Sequence, residues 1–283
     1  MSIVIISDTD TSLPLESQKK FDILQVPITI HFGEEILSAC SEITDQGLVD
    51  RVEREGILPT TSAPSPGAFS KAYQEAFDSG AEEILCLTVS SGMSATYQAA
   101  LSAKELHPDR KITVFDTESI SMGQGFMVLE AARLAKAGKS TQEILSAVVD
   151  VRERTHLFAA LDTLKFMALS GRVGHLTAEM ANVLSIKPIL TILDGKLDLL
   201  EKVRTQKKAW ARVMELSQMG LAGKEVDQIC ILHVAAEDWA SKFEAQLRVS
   251  IPCPDFIPIT GLTPGLSVHT GAGLVGVAFT TKS

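Results

Sequence analysis

The sequence predicts an α/β protein of two domains. Residues 1–154 are predicted to form an N-terminal domain on a mainly parallel, Rossmann-like sheet, and residues 155–283 a C-terminal α/β domain on a mixed or antiparallel sheet. Up to about residue 154, short apolar runs alternate with helical patterns, which is typical of parallel strands joined by crossover helices. Beyond that point an Asp-Gly pair at 194–195 separates two strand patterns and predicts a β-hairpin.

In the N-terminal half, capping signals place two helix starts. Ser65 precedes Pro66, a pair typical of the N-cap and first helical position, and Ser140 with Glu143 forms a capping box. The segment 60–66 (Thr-Thr-Ser-Ala-Pro-Ser-Pro) is predicted to lack regular structure. Predicted strands cover 3–7, 24–32, 83–89 and 111–116; predicted helices cover 48–55, 66–77, the stretch from loop 90–94 to about 106, 125–136 and a segment beginning near 141.

In the C-terminal half, the predicted strands and helices no longer alternate regularly. The predicted strands are 157–161, 188–193, 196–203, 226–234 and 274–281, and the predicted helices are 205–219 and 236–247. No low-complexity linker separates the two halves. We therefore expect two closely packed domains with a cleft between them.

Composition and charge exclude several classes of protein. Apolar residues make up 45% and charged residues 22%, as in an ordinary folded protein, and no apolar run approaches the ~20 residues of a membrane span. The formal net charge of -9 argues against nucleic-acid binding. The start of the sequence shows no secretory signal, and the four cysteines are scattered with no metal-binding or redox spacing, so we expect a reduced cytoplasmic protein.

One stretch of the chain is basic. It is either the solvated face of a helix, which the pattern favours, or a docking patch for an acidic partner. Its members lie between residues 202 and 212: Lys202, Arg204, Lys207, Lys208 and Arg212.

Familiar catalytic signatures are absent from the sequence. It contains no P-loop, no Gly-x-Ser-x-Gly elbow and no His-Glu-x-x-His, so we expect no metal and no cofactor. A Gly-x-Gly-x-x-Gly pattern occurs at 271–276, but the dinucleotide interpretation requires a following helix and an acidic residue about 20 positions on. We expect a tight turn leading into the last strand instead.

Two hydroxyl-rich loops are candidate anion sites. Residues 60–62 (Thr-Thr-Ser) and 90–94 (Ser-Ser-Gly-Met-Ser) each follow an extended segment and precede a helix. Ligands of open parallel sheets bind at the carboxyl ends of the strands, where free N–H groups favour a carboxylate or phosphate. The alternative, which the pattern alone favours, is that these hydroxyls are ordinary caps and turns.

Four further side chains have two interpretations each. His269, before a glycine-rich turn, is either an anion donor or a structural histidine, and Arg172, between small residues, either enters a cleft or ends a surface helix. Asp8 and Asp10 follow the first strand, where carboxylates can hold a metal or nucleotide, but turn and capping roles are favoured.

Taken together, the motifs resemble the DegV family, and the resemblance spans nearly the whole chain. The stretches that carry it are, in order, Ser-Asp-Thr-Asp at 7–10, Pro-Thr-Thr-Ser-Ala-Pro-Ser at 59–65, 87–98 with Ser-Ser-Gly-Met-Ser-Ala-Thr-Tyr at 90–97, Phe-Asp-Thr at 115–117, 161–173 with Ser-Gly-Arg at 170–172, Lys-Pro-Ile-Leu at 187–190, Lys-Val-Arg-Thr at 202–205, and 267–276. Departures from the family pattern lie at Ala95, Thr263 and Ala272, and the last two concern the surroundings of His269.

The resemblance implies a two-domain fold that holds a long-chain fatty acid between the domains. It implies a non-catalytic subunit of fatty acid kinase, which presents the carboxylate to a separate ATP-dependent kinase subunit, and the resulting acyl phosphate enters phospholipid synthesis. A transient contact with a membrane surface is expected as well. The ligand-binding residues that the resemblance implies are Thr61, Ser62, Ser91, Ser94, Arg172 and His269.

Two other functions remain open at this stage. One is a hydrolase or transferase with a serine nucleophile and His269 as its base. The other is a carrier of a different anionic amphiphile. For the wall of an acyl tunnel, the predicted helix at 176–186 and the strand at 157–161 are candidates, although ordinary core is the favoured interpretation of both.

Overall fold

The N-terminal half is built on a four-stranded parallel sheet. The computed structural model describes residues 2–172 and 186–283. The strands are β1 (Ile3–Asp8), β2 (Leu24–Val26), β6 (Glu83–Thr88) and β7 (Lys111–Asp116), in the order β2-β1-β6-β7. All three pairings are parallel, as the alternation of strand and helix patterns predicts.

A second, antiparallel sheet of three strands lies in the same half. It has the order β4-β3-β5, with β3 (Thr29–Phe32), β4 (Glu35–Ser38) and β5 (Thr60–Ser62). Two predictions are wrong here. The predicted strand 24–32 is two strands in different sheets, because Pro27 has no N–H to continue a ladder. Residues 60–62, predicted to be irregular, pair with β3, because the prolines flank these three residues and leave their N–H groups free to pair.

The C-terminal half is built on a six-stranded mixed sheet. Its order is β10-β9-β8-β13-β11-β12, and among the described residues only β11 and β12 pair in parallel. The predicted hairpin is confirmed, with Asp194 and Gly195 both at positive φ between β9 and β10. The strands are β8 (Thr155–Ala160), β9 (Lys187–Leu193), β10 (Lys196–Val203), β11 (Val226–His233), β12 (Ile259–Gly261) and β13 (Val275–Thr281).

The helices of the described residues agree with most of the capping signals. Ser65 caps α3, and the capping box of Ser140 and Glu143 opens α6. The predicted helix at 176–186 lies, up to residue 185, outside the described residues. The sequence patterns do not predict α1, α7 or α10. The helices within residues 2–172 and 186–283 are α1 (Leu15–Phe21), α2 (Asp45–Glu55), α3 (Pro66–Asp78), α4 (Thr96–Glu105), α5 (Met122–Lys136), α6 (Thr141–Glu153), α7 (Lys165–Ser170), α8 (Gln206–Leu221), α9 (Glu237–Ser250) and α10 (Pro264–Thr270), with a 3₁₀ turn at Thr9–Thr11.

The two halves share one hydrophobic core. Helix α5 packs between the sheets, and its Phe126 and Met127 are buried in a cluster that also contains Leu85 of β6 and Ala278 of β13. Burying an apolar side chain of this size contributes about 1.5–3 kcal/mol. The expected close packing is confirmed, together with the fold class of one parallel and one mixed sheet.

Loop 90–94 and the β9–β10 turn fasten the halves together beside this core. The hydroxyl of Ser90 donates to the carbonyl of Gly195. A Cβ at Gly92 would lie 2.7 Å from that same carbonyl oxygen, and Gly195 has φ +70°. The contact therefore depends on glycine at both positions.

Candidate functional site

A cavity of about 360 Å³ lies between the two halves. Volumes of about 300–1,000 Å³ are typical of small-molecule sites. Most of its described lining is apolar. The apolar lining residues are Ile28, Ala63, Val89, Met93, Ala95, Ile120, Leu157, Ala159, Met167, Leu190, Leu197, Leu232, Leu262, Leu266 and Leu274, and the polar ones are Asp10, Thr61, Ser62, Ser94, Ser121, Arg172, His269 and Thr270.

The mixed sheet supplies one apolar wall through strand alternation. Leu157 and Ala159 of β8 face the cavity, whereas Phe158 and Ala160 pack in the core on the opposite side of the sheet. The strand 157–161, a candidate for the wall of an acyl tunnel, therefore lines the cavity with one face and packs in the ordinary core with the other. Leu190, one strand over, continues the cavity wall.

Thr61 and His269 meet at the polar end of the cavity. Thr61 lies on β5 and His269 on α10, and the Thr61 hydroxyl is 2.9 Å from the imidazole Nε2. Burial, with a smaller contribution from the charge of Arg172, lowers the pKa of His269 to about 4. The imidazole is therefore neutral at pH 7, with one nitrogen that donates and one that accepts. Its Nδ1 is buried and has no hydrogen-bond partner among the described residues.

Ser62 and Arg172 place the polar end at the protein surface. Both residues are exposed, and both line the cavity. Arg172 follows α7 and the left-handed Gly171, and its guanidinium donates to the carbonyl of Ser170. Arg172 also lines a shallower groove together with Thr61 and His269. A positive charge thus lies at the mouth of a mostly apolar cavity.

Loop 90–94 brings only part of its hydroxyls to the cavity. Ser94 lines it, with its hydroxyl 2.8 Å from that of Thr96 at the start of α4. Ser91 is exposed and is not among the lining residues, and its backbone N–H donates to the carboxylate of Asp116 at 3.2 Å. Five of the six predicted residues thus line one cavity, whereas the assignment of Ser91 to the headgroup site stays a prediction.

The two aspartates after β1 have different surroundings. Asp8 caps the 3₁₀ turn, accepting from the N–H of Asp10 at 2.9 Å and from that of Val89 at 2.7 Å. The capping interpretation is therefore confirmed for Asp8, and burial raises its pKa to about 6. Asp10 instead lines the cavity, where burial first and the charge of Asp8 second raise its pKa well above its usual value.

Sequence reasoning missed Asp10 and Ser121 as cavity residues and helix α10 as a cavity wall. The sequence favours a turn or capping role for Asp10, and Ser121 lies in a loop with no motif. The signal for α10 was its one-sided pattern: Gly265, Leu266 and His269 recur at helical spacing and share one face.

The geometry gives little support to a serine hydrolase. Within residues 2–172 and 186–283, neither Ser91 nor Ser94 hydrogen-bonds to His269, and no acidic side chain orients its ring. The same residues contain no cluster of three metal-ligating side chains. The glycines at 271–276 form the expected turn into β13, with Gly271 and Gly273 at positive φ.

No helix in the described parts of the chain is both long and apolar enough to span a bilayer.

The fold and the cavity define a class: α/β proteins that enclose a mostly apolar pocket with a polar mouth between a parallel and a mixed sheet. This chain belongs to the DegV family, whose model, described as an uncharacterised protein family, matches residues 2–282. A DegV domain-containing protein of Streptomyces coelicolor is 32% identical over 280 residues, covering 99% of both chains. One of Mycobacterium tuberculosis is 35% identical over 280 residues, covering 98% of this chain and 96% of its own.

Solved structures show the same architecture. A DegV family protein from Thermus thermophilus, described by its fatty acid binding, has a TM-score of 0.91 and 28% identity, with full coverage of both chains. DegV of Bacillus subtilis, described as a fatty acid binding protein, has a TM-score of 0.88 and 26% identity, also with full coverage.

Proposed function

We propose that this protein binds a long-chain fatty acid in the cavity between its proposed domains, residues 1–154 and 155–283. The observation that carries the proposal is the cavity itself, which is apolar along its walls and polar at its mouth. That distribution complements a molecule with one carboxylate and a long hydrocarbon chain. The fatty acid binding of the Thermus thermophilus and Bacillus subtilis relatives supports the same ligand class.

The apolar walls account for the affinity. Each buried methylene contributes about 0.8 kcal/mol, so a C16–C18 chain gains on the order of 10 kcal/mol before the cost of immobilisation. Leu157, Leu190 and Leu232 are buried on the wall of the mixed sheet and provide such contacts.

The mouth accounts for the orientation of the ligand. A carboxylate taken from water must keep hydrogen bonds, and we assign these to Thr61, Ser62, Ser94, Arg172 and His269. Arg172 brings the one positive charge among them, and hydrogen bonds to a charged group are the stronger kind. Since Ser62 and Arg172 are exposed, the carboxylate end lies toward the protein surface.

We further propose that the bound carboxylate is presented to a separate, ATP-dependent kinase subunit, which forms the acyl phosphate used in phospholipid synthesis. Support comes from the family resemblance and from the exposed mouth, which leaves a carboxylate oxygen within reach of a second protein. The cytoplasm, where ATP is available, is the proposed site. Lys202, Arg204, Lys207 and Lys208 are exposed and are proposed to contact this partner or an anionic membrane surface.

Mass spectrometry of the extracted ligand tests the binding proposal. Purified protein is denatured, extracted with organic solvent and compared with a matched quantity of an unrelated protein from the same host. We expect a near-stoichiometric long-chain fatty acid. An empty extract, with no thermal stabilisation on adding palmitate or oleate, would contradict the proposal.

Phosphoryl transfer tests the partnership. The loaded protein is mixed with the ATP-binding subunit of a bacterial fatty acid kinase and with labelled ATP. Acyl phosphate is expected only when both proteins are present. If the protein binds lipid but the mixture forms no acyl phosphate, the fatty acid binding proposal stands and the proposal of a kinase partner is contradicted.

A further inference from the structure

A second polar site interrupts the apolar wall of the cavity. Asp10 and Ser121 both line it, and their exposed fractions are only 6% and 3%. Neither belongs to the set of residues assigned to the carboxylate. An unsubstituted acyl chain offers these two side chains no hydrogen bond.

Asp10 is a carboxyl group with few partners. Thr263 donates to its Oδ1 over a long 3.4 Å, and no Lys, Arg or His among the described residues forms an ion pair with it. Gly265 of α10 is pressed against the carboxyl, because a Cβ there would lie 2.5 Å from Oδ1. Burial and the neighbouring charge of Asp8 raise the pKa of Asp10, which favours the neutral acid. A neutral carboxyl can both donate and accept a hydrogen bond.

Ser121 is held beside Asp10 in an unusual conformation. It has φ 53° and ψ −143°, which a residue with a Cβ rarely adopts, and such strain persists where the surrounding structure fixes it. Its backbone N–H donates to the carbonyl of Asp10 at 2.9 Å, and its hydroxyl donates to that of Ser12 at 3.0 Å. The oxygen of Ser121 can still accept a hydrogen bond.

The energetic consequence follows from what fills the cavity. A plain hydrocarbon chain displaces water from Asp10 and Ser121 without replacing its hydrogen bonds, and unpaired buried groups are costly. Sites built to bind a hydroxyl discriminate strongly against ligands that lack it. We propose that Asp10 and Ser121 form a second subsite, which binds a hydroxyl carried on the ligand's hydrocarbon chain, so that the protein prefers monohydroxylated long-chain acids.

Helix α10 sets the position of that hydroxyl. Asp10 contacts Gly265, and His269 lies four residues later on the same helix face, which is ~6 Å along the axis at 1.5 Å per residue. The subsite is therefore near the carboxylate end of the cavity. The preferred hydroxyl lies in the proximal half of the chain rather than near its methyl end.

The test is a binding panel on delipidated protein, and it rests on the proposed function. Dissociation constants are measured by calorimetry for palmitate, stearate and acids of those lengths whose single hydroxyl is moved from carbon 3 to carbon 12. We expect at least one proximal hydroxyl acid to bind about tenfold more tightly than its unsubstituted parent. Hydroxylated acids that bind no more tightly than their parents would overturn the subsite.

Variants of Asp10 sharpen the test. Asp10→Leu, with an apolar side chain of similar shape, should abolish the preference for the hydroxyl, whereas Asp10→Asn should retain part of it. Asp109→Leu, the same change at an exposed position, serves as the control. A preference that persists in Asp10→Leu contradicts the proposal.

If Asp10→Leu does not fold, the binding panel on the unmodified protein and on Asp10→Asn still tests the subsite. Failure of palmitate itself to bind overturns the proposed function, whereas palmitate binding without a hydroxyl preference overturns only the subsite.

Discussion

The two ends of the cavity are built from different kinds of structure. The part of its apolar wall that the mixed sheet supplies comes from regular strands, with Leu157 and Ala159 on β8 and Leu190 on β9. Its polar mouth comes from the three-residue strand β5, loop 90–94, the end of α7 and the short helix α10. Regular strands present alternate side chains on one face and so make a smooth surface, whereas irregular segments can aim hydroxyls and charges. The difference separates affinity, supplied by the wall, from orientation, supplied by the mouth.

Filling the space at the wall should have the largest effect. Ala159→Phe places a large side chain in the cavity. We expect fatty acid affinity to fall by about a hundredfold or more because the ring occupies space that methylenes of the acyl chain would fill. Calorimetry with palmitate measures the loss. Ala137→Phe, the same change at an exposed position after α5, is the matched control. Unchanged affinity in a folded Ala159→Phe protein would show that the chain does not lie against β8.

Removing one hydroxyl at the mouth should have a smaller effect. Thr61→Val keeps the shape of the side chain and loses the hydroxyl that meets His269, so affinity should fall roughly tenfold, the scale of one hydrogen bond to a charged group. Ser91→Ala, outside the cavity lining, should bind like the unmodified protein. A loss in Ser91→Ala equal to that in Thr61→Val would return Ser91 to the headgroup site.

The histidine at the mouth has a shifted pKa, which predicts a pH effect on stability. The pKa of His269 is lowered from 6.5 to about 4 in the folded protein. Between these two pH values, His269 is protonated in the unfolded chain and neutral in the folded protein. The contribution of His269 is therefore complete above pH 6.5 and is lost as the pH falls toward 4, by roughly 1–3 kcal/mol.

The raised pKa values of Asp8 and Asp10 make the protein more stable as the pH falls, which opposes the effect of His269. The quantity to measure is therefore the difference in the free energy of unfolding between the unmodified protein and a His269 variant. The free energy of unfolding is determined in urea between pH 4 and 8 for the unmodified protein and for His269→Gln. Their difference should narrow or reverse as the pH falls. A difference that does not depend on pH would mean that His269 titrates normally.

The basic patch should give the smallest effect. Lys207→Glu with Lys208→Glu reverses two exposed charges at the start of α8, and neither residue is among the described lining of the cavity. Fatty acid affinity should not change, while the rate of acyl phosphate formation with a kinase subunit should fall a few-fold and depend on salt. An unchanged rate at low salt would leave these lysines as a solvated helix face.

Sequence patterns predicted the regular wall better than the mouth. The hairpin around Asp194 and the apolar strand that supplies Leu157 follow from local chemistry, since turn type and alternation act over a few residues. The pairing of Thr60–Ser62 with β3 depends on a partner about thirty residues away, which no local pattern records. Similarly, Ser91 and Ser94 look alike in sequence, and only the bond between Ser91 and Asp116 separates them.

Asp10 shows a second limit of sequence reasoning. Asp8 and Asp10 stand two residues apart, yet one caps a turn while the other faces the cavity. The 3₁₀ turn rotates their side chains to different surroundings, and the burial of Asp10 comes from Gly265, far along the chain. Its role therefore depends on the assembled fold.

The contact between Ser90 and Gly195 fixes the separation of two cavity residues, Ser94 and Leu197. Ser94, at the mouth, is four residues from one side of this contact, and Leu197, on the wall, is two residues from the other. Since the glycines at 92 and 195 keep the two backbones together, the separation of Ser94 and Leu197 is set by the protein and not by the ligand. Affinity should consequently pass through an optimum as the acyl chain is lengthened, instead of rising with every added methylene.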